Sequence, residues 1–292
     1  MLNARCGERL KSKRMERRST GRNDTPVHWN GGAETAPMRS LLVEILGFPA
    51  TLIHGDTLVL DRWLWLRQHL PAVACGSKRL LDVGCGSGAF TIGAALRGYR
   101  ALGLSWDQRN MGAARHRASI CNAPLATFEV QDIRQLDTRS DLHDSFEIVI
   151  CCEAIEHILD DRKLMLAMSS CLKTGGELLL TTPNFNYRPI TKSDDGPFSQ
   201  VEDGWHVRRG YTAQDLRALC AAAGLQVAQI GYCSGFLSQR ITRLMRTAGA
   251  IHRVLGWGLV LPLRPLPPLV DAWVSRILRW PGYSITLTAK KE

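Results

Sequence analysis

A chain of 292 residues, 45% of them hydrophobic, can bury a sizeable core, which excludes a disordered or fibrous protein. Its net charge of +10 sits at the two ends: residues 1–40 carry nine Lys/Arg against four Asp/Glu, residues 234–292 nine against two, and the middle nineteen against twenty-one. A centre without a basic stripe has no footprint for a phosphate backbone, so nucleic acid is excluded as the expected substrate.

Residues 1–37 are polar and basic without periodicity; they are expected to be a disordered, dispensable tail, with Met38 a second candidate start. No apolar h-region follows the basic start, and the longest apolar run, 254–263, is about half of the ~20 residues that span a bilayer. The nine cysteines include no C-x-x-C pair and read as free thiols of a cytoplasmic protein.

Residues 38–75 are expected to form a helical cap. Leu41, Leu42, Ile45 and Leu46 recur at helical spacing, Gly47 and Pro49 break the run, and Asp56 is expected to cap a second helix with Val59, Leu60, Trp63, Leu64 and Arg67 on one side. Residues 76–292 alternate short apolar runs with helical stretches, the pattern of βα units. Seven strands are expected near 79–83, 100–104, 126–130, 146–151, 177–181, 225–231 and 284–289. Helices are expected at 161–172 and 212–223, the latter opened by Thr212 and Asp215 as a capping box. The fold class is therefore α/β, a Rossmann-like doubly wound, mostly parallel seven-stranded sheet with a helical insertion at 234–282 before the last strand.

Chemistry enters at Leu80-Leu81-Asp82-Val83-Gly84-Cys85-Gly86-Ser87-Gly88, an apolar strand running into a glycine-rich turn that opens a helix. Such a turn lets a ligand approach the backbone, and the helix N-terminus favours an anionic group. A dinucleotide site would need G-x-G-x-x-G and an acidic residue after the second strand, where this chain has G-x-G-x-G and Ser105.

The turn resembles the first motif of class I S-adenosylmethionine-dependent methyltransferases. Downstream, Gln131-Asp132-Ile133, Cys152-Glu153-Ala154-Ile155-Glu156-His157, Leu172-Lys173-Thr174-Gly175-Gly176 and His206-Val207-Arg208 are similar to segments of the small-molecule type, in particular the ubiquinone-pathway O-methyltransferases. The resemblance covers about residues 78–232 and the last strand. It implies that S-adenosylmethionine is the cofactor and that Asp82, Gly84, Cys85, Gly86, Gly88, Ser105, Trp106, Asp107, Asp132, Ile133 and Glu153 line its site. Asp132 would accept from the adenine amino group. Ser105 stands where that family carries an acidic ribose ligand, so Asp107 or Gln108 would supply the rest; Asp107 reads equally as a helix N-cap. A Leu-Ser-x-x-Gln pattern like Leu104 to Gln108 also resembles cyclopropane-fatty-acid synthases, which keeps carbon open as acceptor.

His157, just beyond the C-terminal end of the fourth strand, lies on the edge where ligands of this fold class bind; it and His206 are expected to face the acceptor as catalytic residues, His157 as general base for a hydroxyl, with a buried structural histidine as the alternative. Asp194, Asp195, Glu202, Asp203 and His206 read as a solvated loop, and no metal is expected. There is no G-x-S-x-G elbow, P-loop or H-E-x-x-H helix, and no N/D-P-P-Y segment after the fourth strand. The expected function is methyl transfer to a small-molecule or lipid-linked acceptor, at oxygen before carbon; a catalytically inactive binding protein of the same fold is the alternative. In the insertion, Phe236, Leu237, Ile241, Leu244 and Met245 form one apolar stripe beside Arg240, Arg243 and Arg246, and Val270, Trp273, Val274 and Ile277 another, with prolines between. The two stripes suit either packing, including a homodimer interface, or peripheral contact with the inner membrane face.

Overall fold

The computed structural model describes residues 37–53 and 56–292. Three helices, α1 (Pro37–Leu46), α2 (Phe48–Ile53) and α3 (Leu58–His69), precede the sheet. There follow β1 (Arg79–Val83), α4 (Ala89–Leu96), β2 (Arg100–Ser105), α5 (Gln108–Ile120), β3 (Ala126–Val130), β4 (Phe146–Cys152), α6 (Asp161–Cys171) and β5 (Leu172–Pro183). The chain ends with α7 (Ala213–Ala222), β6 (Leu225–Cys233), α8 (Phe236–Ile251), α9 (Arg253–Val260), α10 (Leu266–Ile277) and β7 (Ser284–Lys291). The expected tail falls on residues outside those described, apart from Pro37, which opens α1.

The seven strands form one sheet in the order β3-β2-β1-β4-β5-β7-β6, with β7 antiparallel to both neighbours and the other pairs parallel. This is the doubly wound α/β fold the alternation predicts. Both faces are covered, so successive residues of the central strands are buried on opposite sides. Leu81, Val149 and Leu178 pack towards α6 and α7, and Leu80, Ile148 and Ile150 towards α3, α4 and α5. The strand order reverses between β1 and β4, and the crevice at their carboxyl ends is where ligands of this architecture bind.

Two expectations about helix faces are corrected. In α3 the buried residues are Leu58, Arg62, Trp63 and Leu66, so the inward face is rotated from the one read off the apolar pattern. An arginine turns inward because ion-pair partners await it, as described below. In α8 the buried side is Ser238, Gln239, Ile241, Thr242 and Ala248, because polar groups there meet the cap: Thr242 hydrogen-bonds Thr57, and Trp257 Nε1 donates to Ile53 O at 3.3 Å. The cap and the insertion thus pack on each other above the sheet. The thiols at 85, 121, 151, 152, 171, 220 and 233 are free, whereas Cys75, exposed in the loop after α3, is disulfide-bonded, contrary to the free-thiol expectation. No described helix is long and apolar enough to cross a membrane.

Candidate functional site

β1 delivers the chain to the glycine turn with Asp82 buried, its carboxylate accepting the Thr91 hydroxyl at 2.6 Å. Burial without a cation pushes the Asp82 carboxyl up to about 7. The turn is pinned by Gly84 and Cys85, whose N–H groups both donate to Leu104 O, at 3.0 and 2.9 Å. Gly84, Gly86 and Gly88 all have left-handed φ. A Cβ on Gly84 would lie 2.6 Å from Ala154 Cβ and one on Gly88 2.8 Å from Ala114 Cβ, whereas at Gly86 nothing lies within 4 Å. Two glycines therefore serve close packing, and Gly86 opens the backbone to a ligand.

Ser105 ends β2 at the same crevice, with its Oγ accepting the Asp107 N–H at 3.4 Å. Trp106 is 67% exposed beside it. Asp107 caps α5, accepting the Arg109 N–H at 2.9 Å. Ile133 is buried under the turn. Asp132 also caps, accepting the Arg134 N–H at 3.0 Å, and its carboxylate is gripped by the Arg134 guanidinium at 2.5 Å, which holds its pKa low. Arg134 reaches on to Glu202 at 3.0 Å, so an adenine amino group at Asp132 would share an engaged carboxylate.

Glu153 follows β4 in left-handed conformation, φ +52°, a costly state for a residue with a Cβ. Its carboxylate is engaged on both oxygens: Oε2 pairs with Arg62 at 3.0 Å, and Oε1 accepts the Ser284 hydroxyl at 3.0 Å. Arg62 is buried, and Glu153 and Asp56 hold its pKa above the ordinary guanidinium value despite burial.

The next turn, Ile155–His157, carries a second cluster. Glu156 is fully buried; Oε2 accepts from Thr182 at 3.1 Å, and Oε1 has no hydrogen-bond partner. That oxygen lies 3.9 Å from His157 Nε2 and 4.0 Å from His206 Nε2, and the two imidazoles meet edge to face at 4.7 Å between centroids. Burial, and then the Glu153 charge, raise the Glu156 carboxyl well above the carboxylate range. Burial and His157 push His206 down to about 4.

His206 is delivered from a distant loop that docks onto this turn. Val207 N–H donates to Glu156 O at 3.0 Å, Arg208 bonds Ile158 O at 2.6 Å and the Asp161 carboxylate, and Tyr211 OH donates to Asp161 at 2.8 Å. The two expected catalytic histidines therefore stand together. The acidic run around His206 disperses instead: Asp194 pairs with Arg246, Asp195 with Arg209 and Glu202 with Arg134. Candidate metal ligands converge elsewhere, at Glu156, His157 and His206, whose donor atoms all lie within 4.8 Å of one another. A carboxylate oxygen and two imidazole nitrogens suit a divalent first-row cation or Mg²⁺. Sequence reading missed Glu156 and Arg62 as site residues. The signal for Arg62 is its position four residues from both Leu58 and Leu66, on the face those leucines bury.

A family model described as a methyltransferase domain matches residues 61–230, more than half of the chain. The ubiquinone biosynthesis O-methyltransferase of Aeromonas salmonicida is 28% identical over 154 residues, 51% of this chain and 63% of that protein. The one from Neisseria meningitidis serogroup C is 31% identical over 156 residues, 52% and 65% respectively. The chain thus spans less than two thirds of the length of these relatives. Among solved structures, phosphoethanolamine N-methyltransferase 2 of Haemonchus contortus, in complex with S-adenosyl-L-methionine, superposes with a TM-score of 0.58 at 17% identity, covering 88% of this chain and 60% of that one. Family match, sheet order and glycine turn agree: the chain belongs to the S-adenosylmethionine-dependent methyltransferase domain family.

Proposed function

We propose that the chain transfers the donor's methyl group to a hydroxyl oxygen of a small or lipid-linked acceptor, with Glu156, His157 and His206 holding a divalent cation that orients that oxygen. The observation that carries this reading is the buried Glu156 oxygen without a hydrogen-bond partner, flanked by two imidazoles. A buried polar atom left in this state costs free energy unless a ligand completes it. The names of the relatives support oxygen over carbon as acceptor atom.

Methyl transfer from a sulfonium is an in-line displacement: the oxygen–carbon bond forms as the carbon–sulfur bond breaks, and the acceptor loses its proton. The protein's work is to align the reactants and exclude water. The glycine turn and Ser105 place the donor, and Asp82, Cys85, Trp106, Asp107, Asp132 and Ile133 complete its surroundings. A bound cation would supply Lewis acidity, lowering the acceptor hydroxyl's pKa. With a cation held, the lone pair of His157 would be engaged and the proton of the ionising hydroxyl would leave to solvent past this imidazole, 29% exposed; without the cation His157 is the group that takes it. The Arg62–Glu153 pair fixes the loop that presents them. The cap at 38–75 and the insertion at 234–282 belong to this reading as the cover of the acceptor side.

The test is transfer of labelled methyl from S-adenosylmethionine to fractionated host metabolites, read by mass spectrometry. The expected result is a product one CH₂ heavier whose formation stops with a chelator and returns with Mg²⁺ or Mn²⁺. Equal product with chelator would remove the cation and leave His157 alone; no labelled product would overturn the reading.

A further inference from the structure

α10 is amphipathic in the inverted sense. Its polar side chains point inward, where they cap a neighbouring helix. The Asp271 carboxylate accepts the N–H groups of Leu237 and Ser238 at 2.8 and 3.2 Å, and Ser275 Oγ accepts that of Phe236 at 2.8 Å. These are the N–H groups that the first turn of α8 leaves without intrahelical partners. With Asp271 and Ser275 turned in, Leu266, Leu269, Val270, Trp273 and Ile277 point out, at the i, i+3, i+4, i+7, i+11 spacing of one stripe. Leu269 is 76% and Trp273 67% exposed. α9 adds Val254, Leu255 and Leu259. Eleven of the twenty-two exposed large apolar side chains among the described residues lie between Ile251 and Leu278, a concentration that scattered surface leucines do not produce.

The charge around this face has one sign. Asp271 is the single acidic residue from 234 to 291, and it is buried in the cap. Arg240, Arg243, Arg276 and Arg279 are exposed, while Arg246 is held inward by Asp56 and Asp194. A second copy of the same face would bring arginines against arginines. An apolar stripe containing a tryptophan, edged by arginines and free of exposed carboxylates, instead matches the boundary between acyl chains and anionic headgroups.

We propose that the α9–α10 face docks on an anionic lipid bilayer, with Leu269 and Trp273 entering the headgroup boundary and the exposed arginines meeting phosphates. The inner side of α10 gives the docking a purpose. Pro267, Asp271 and Ser275 form one wall of a cavity of about 880 Å³ that continues to Trp65 on α3 and to Asn184 and Ser234 at the strand ends. A lipid-linked acceptor leaving the bilayer would pass α10 to reach the sheet edge. This last step rests on the methyl-transfer reading, whereas the docking does not.

The test is co-sedimentation of the full chain with phosphatidylcholine vesicles, with and without phosphatidylglycerol, at low and high salt. Expected is binding to the anionic vesicles that weakens with salt and falls at least about tenfold in Leu269→Glu and in Trp273→Glu. Both residues are exposed and outside the cavity wall, so melting temperature and S-adenosylmethionine binding should stay at wild-type values, which keeps the donor site a separate readout. Quenching of tryptophan fluorescence by brominated anionic lipid gives a second measurement on the unsubstituted protein. Absence of vesicle binding, binding unchanged by both substitutions, or a lipid-free dimer abolished by Trp273→Glu would each overturn the proposal.

Discussion

The two sides of the crevice proposed to hold donor and acceptor are built by different means. On the donor side, one continuous stretch from Leu80 to Gly88 does most of the work through backbone conformation, and Ser105 and Ile133 add to it from the ends of neighbouring strands. On the proposed acceptor side, the turn with Glu156 and His157, the loop with His206, α3 with Arg62 and β7 with Ser284 are separate elements, and side-chain hydrogen bonds and ion pairs hold them together. A backbone site can be damaged locally with the fold intact. A site assembled from distant charges couples chemistry to folding, because each partner removed leaves another buried and unpaired.

The largest effect is expected on the acceptor side. His157→Ala should lower turnover by ~10² to 10⁴-fold with donor affinity unchanged, in the range for loss of a positioned acid or base. Glu156→Gln keeps the shape and the Thr182 contact but cannot ionise when a cation binds. It should abolish binding of Mn²⁺ measured by calorimetry, while leaving S-adenosylmethionine binding in place. Donor affinity falling in step with turnover in either variant would erase the division between the two sides.

Next comes the ion pair beneath them. Arg62→Met leaves Glu153 facing a buried gap and should cost about 3–5 kcal/mol in denaturant unfolding. The double substitution with Glu153→Met should recover much of that loss, because both charges are gone. Equal destabilisation by the single and the double variant would mean that Arg62 acts through packing of its stem.

On the donor side the contrast lies between two glycines in one turn. Gly84→Ala drives a Cβ into Ala154 and should lower the melting temperature. Gly86→Val meets no protein atom and should fold, with about 1–2 kcal/mol lost to its left-handed φ. It should weaken S-adenosylmethionine binding by about 100-fold, or roughly 2.7 kcal/mol, measured by calorimetry. Wild-type affinity would move the ligand away from the turn.

The same contrast explains what the sequence made legible. β1 and β3 have the bounds read from their apolar runs, and β2, β4, β6 and β7 extend by a residue or two; the central strands announce themselves because they are buried on both faces, and the half-exposed β3 and β6 because turn residues and helical patterns bound them. β5 begins earlier than expected: Leu172 already pairs with Phe146, on the residues read as a turn. The glycine turn and the two histidine segments were readable as motifs, but the meeting of His157 and His206 depends on the docking of a distant loop and was not. The inward face of α3 was not, since periodicity assigns an arginine to solvent and only the Glu153 and Asp56 carboxylates reverse that. In α10 the stripe was legible but not the side it faces, because packing and surface contact give the same periodicity; the need of α8 for an N-terminal cap turned Asp271 inward and the leucines out.

The smallest effect, and the one that separates the two sides within a single experiment, is the pH dependence of stability without ligand. Asp82 on the donor side has its folded pKa raised from 3.8 to about 7, so the folded state holds a proton that the unfolded state releases. Its contribution is fully present below the unfolded pKa and is lost as pH rises through about 7. His206 on the acceptor side is lowered from 6.5 to about 4, so in that window the unfolded state binds the extra proton. Its contribution is present above about 6.5 and is lost as pH falls through about 4. Each proton changes the slope by at most ~1.4 kcal/mol per pH unit, and for His206, with its side chain 33% exposed, solvent screening reduces this. Both changes therefore fall between about pH 4 and 7 with opposite slopes, and urea unfolding from pH 4 to 9 should show Asp82→Asn steepening the rise of stability with pH in that window and His206→Gln flattening it. A donor analogue should act like Asp82→Asn in the same window, because the positive charge of the sulfonium and ammonium groups favours the ionised Asp82. If the slope between pH 4 and 7 ignored both the substitution and the analogue, Asp82 would lie too far from the methionine end of the donor to sense its charge, and the glycine turn would not be the seat of that end.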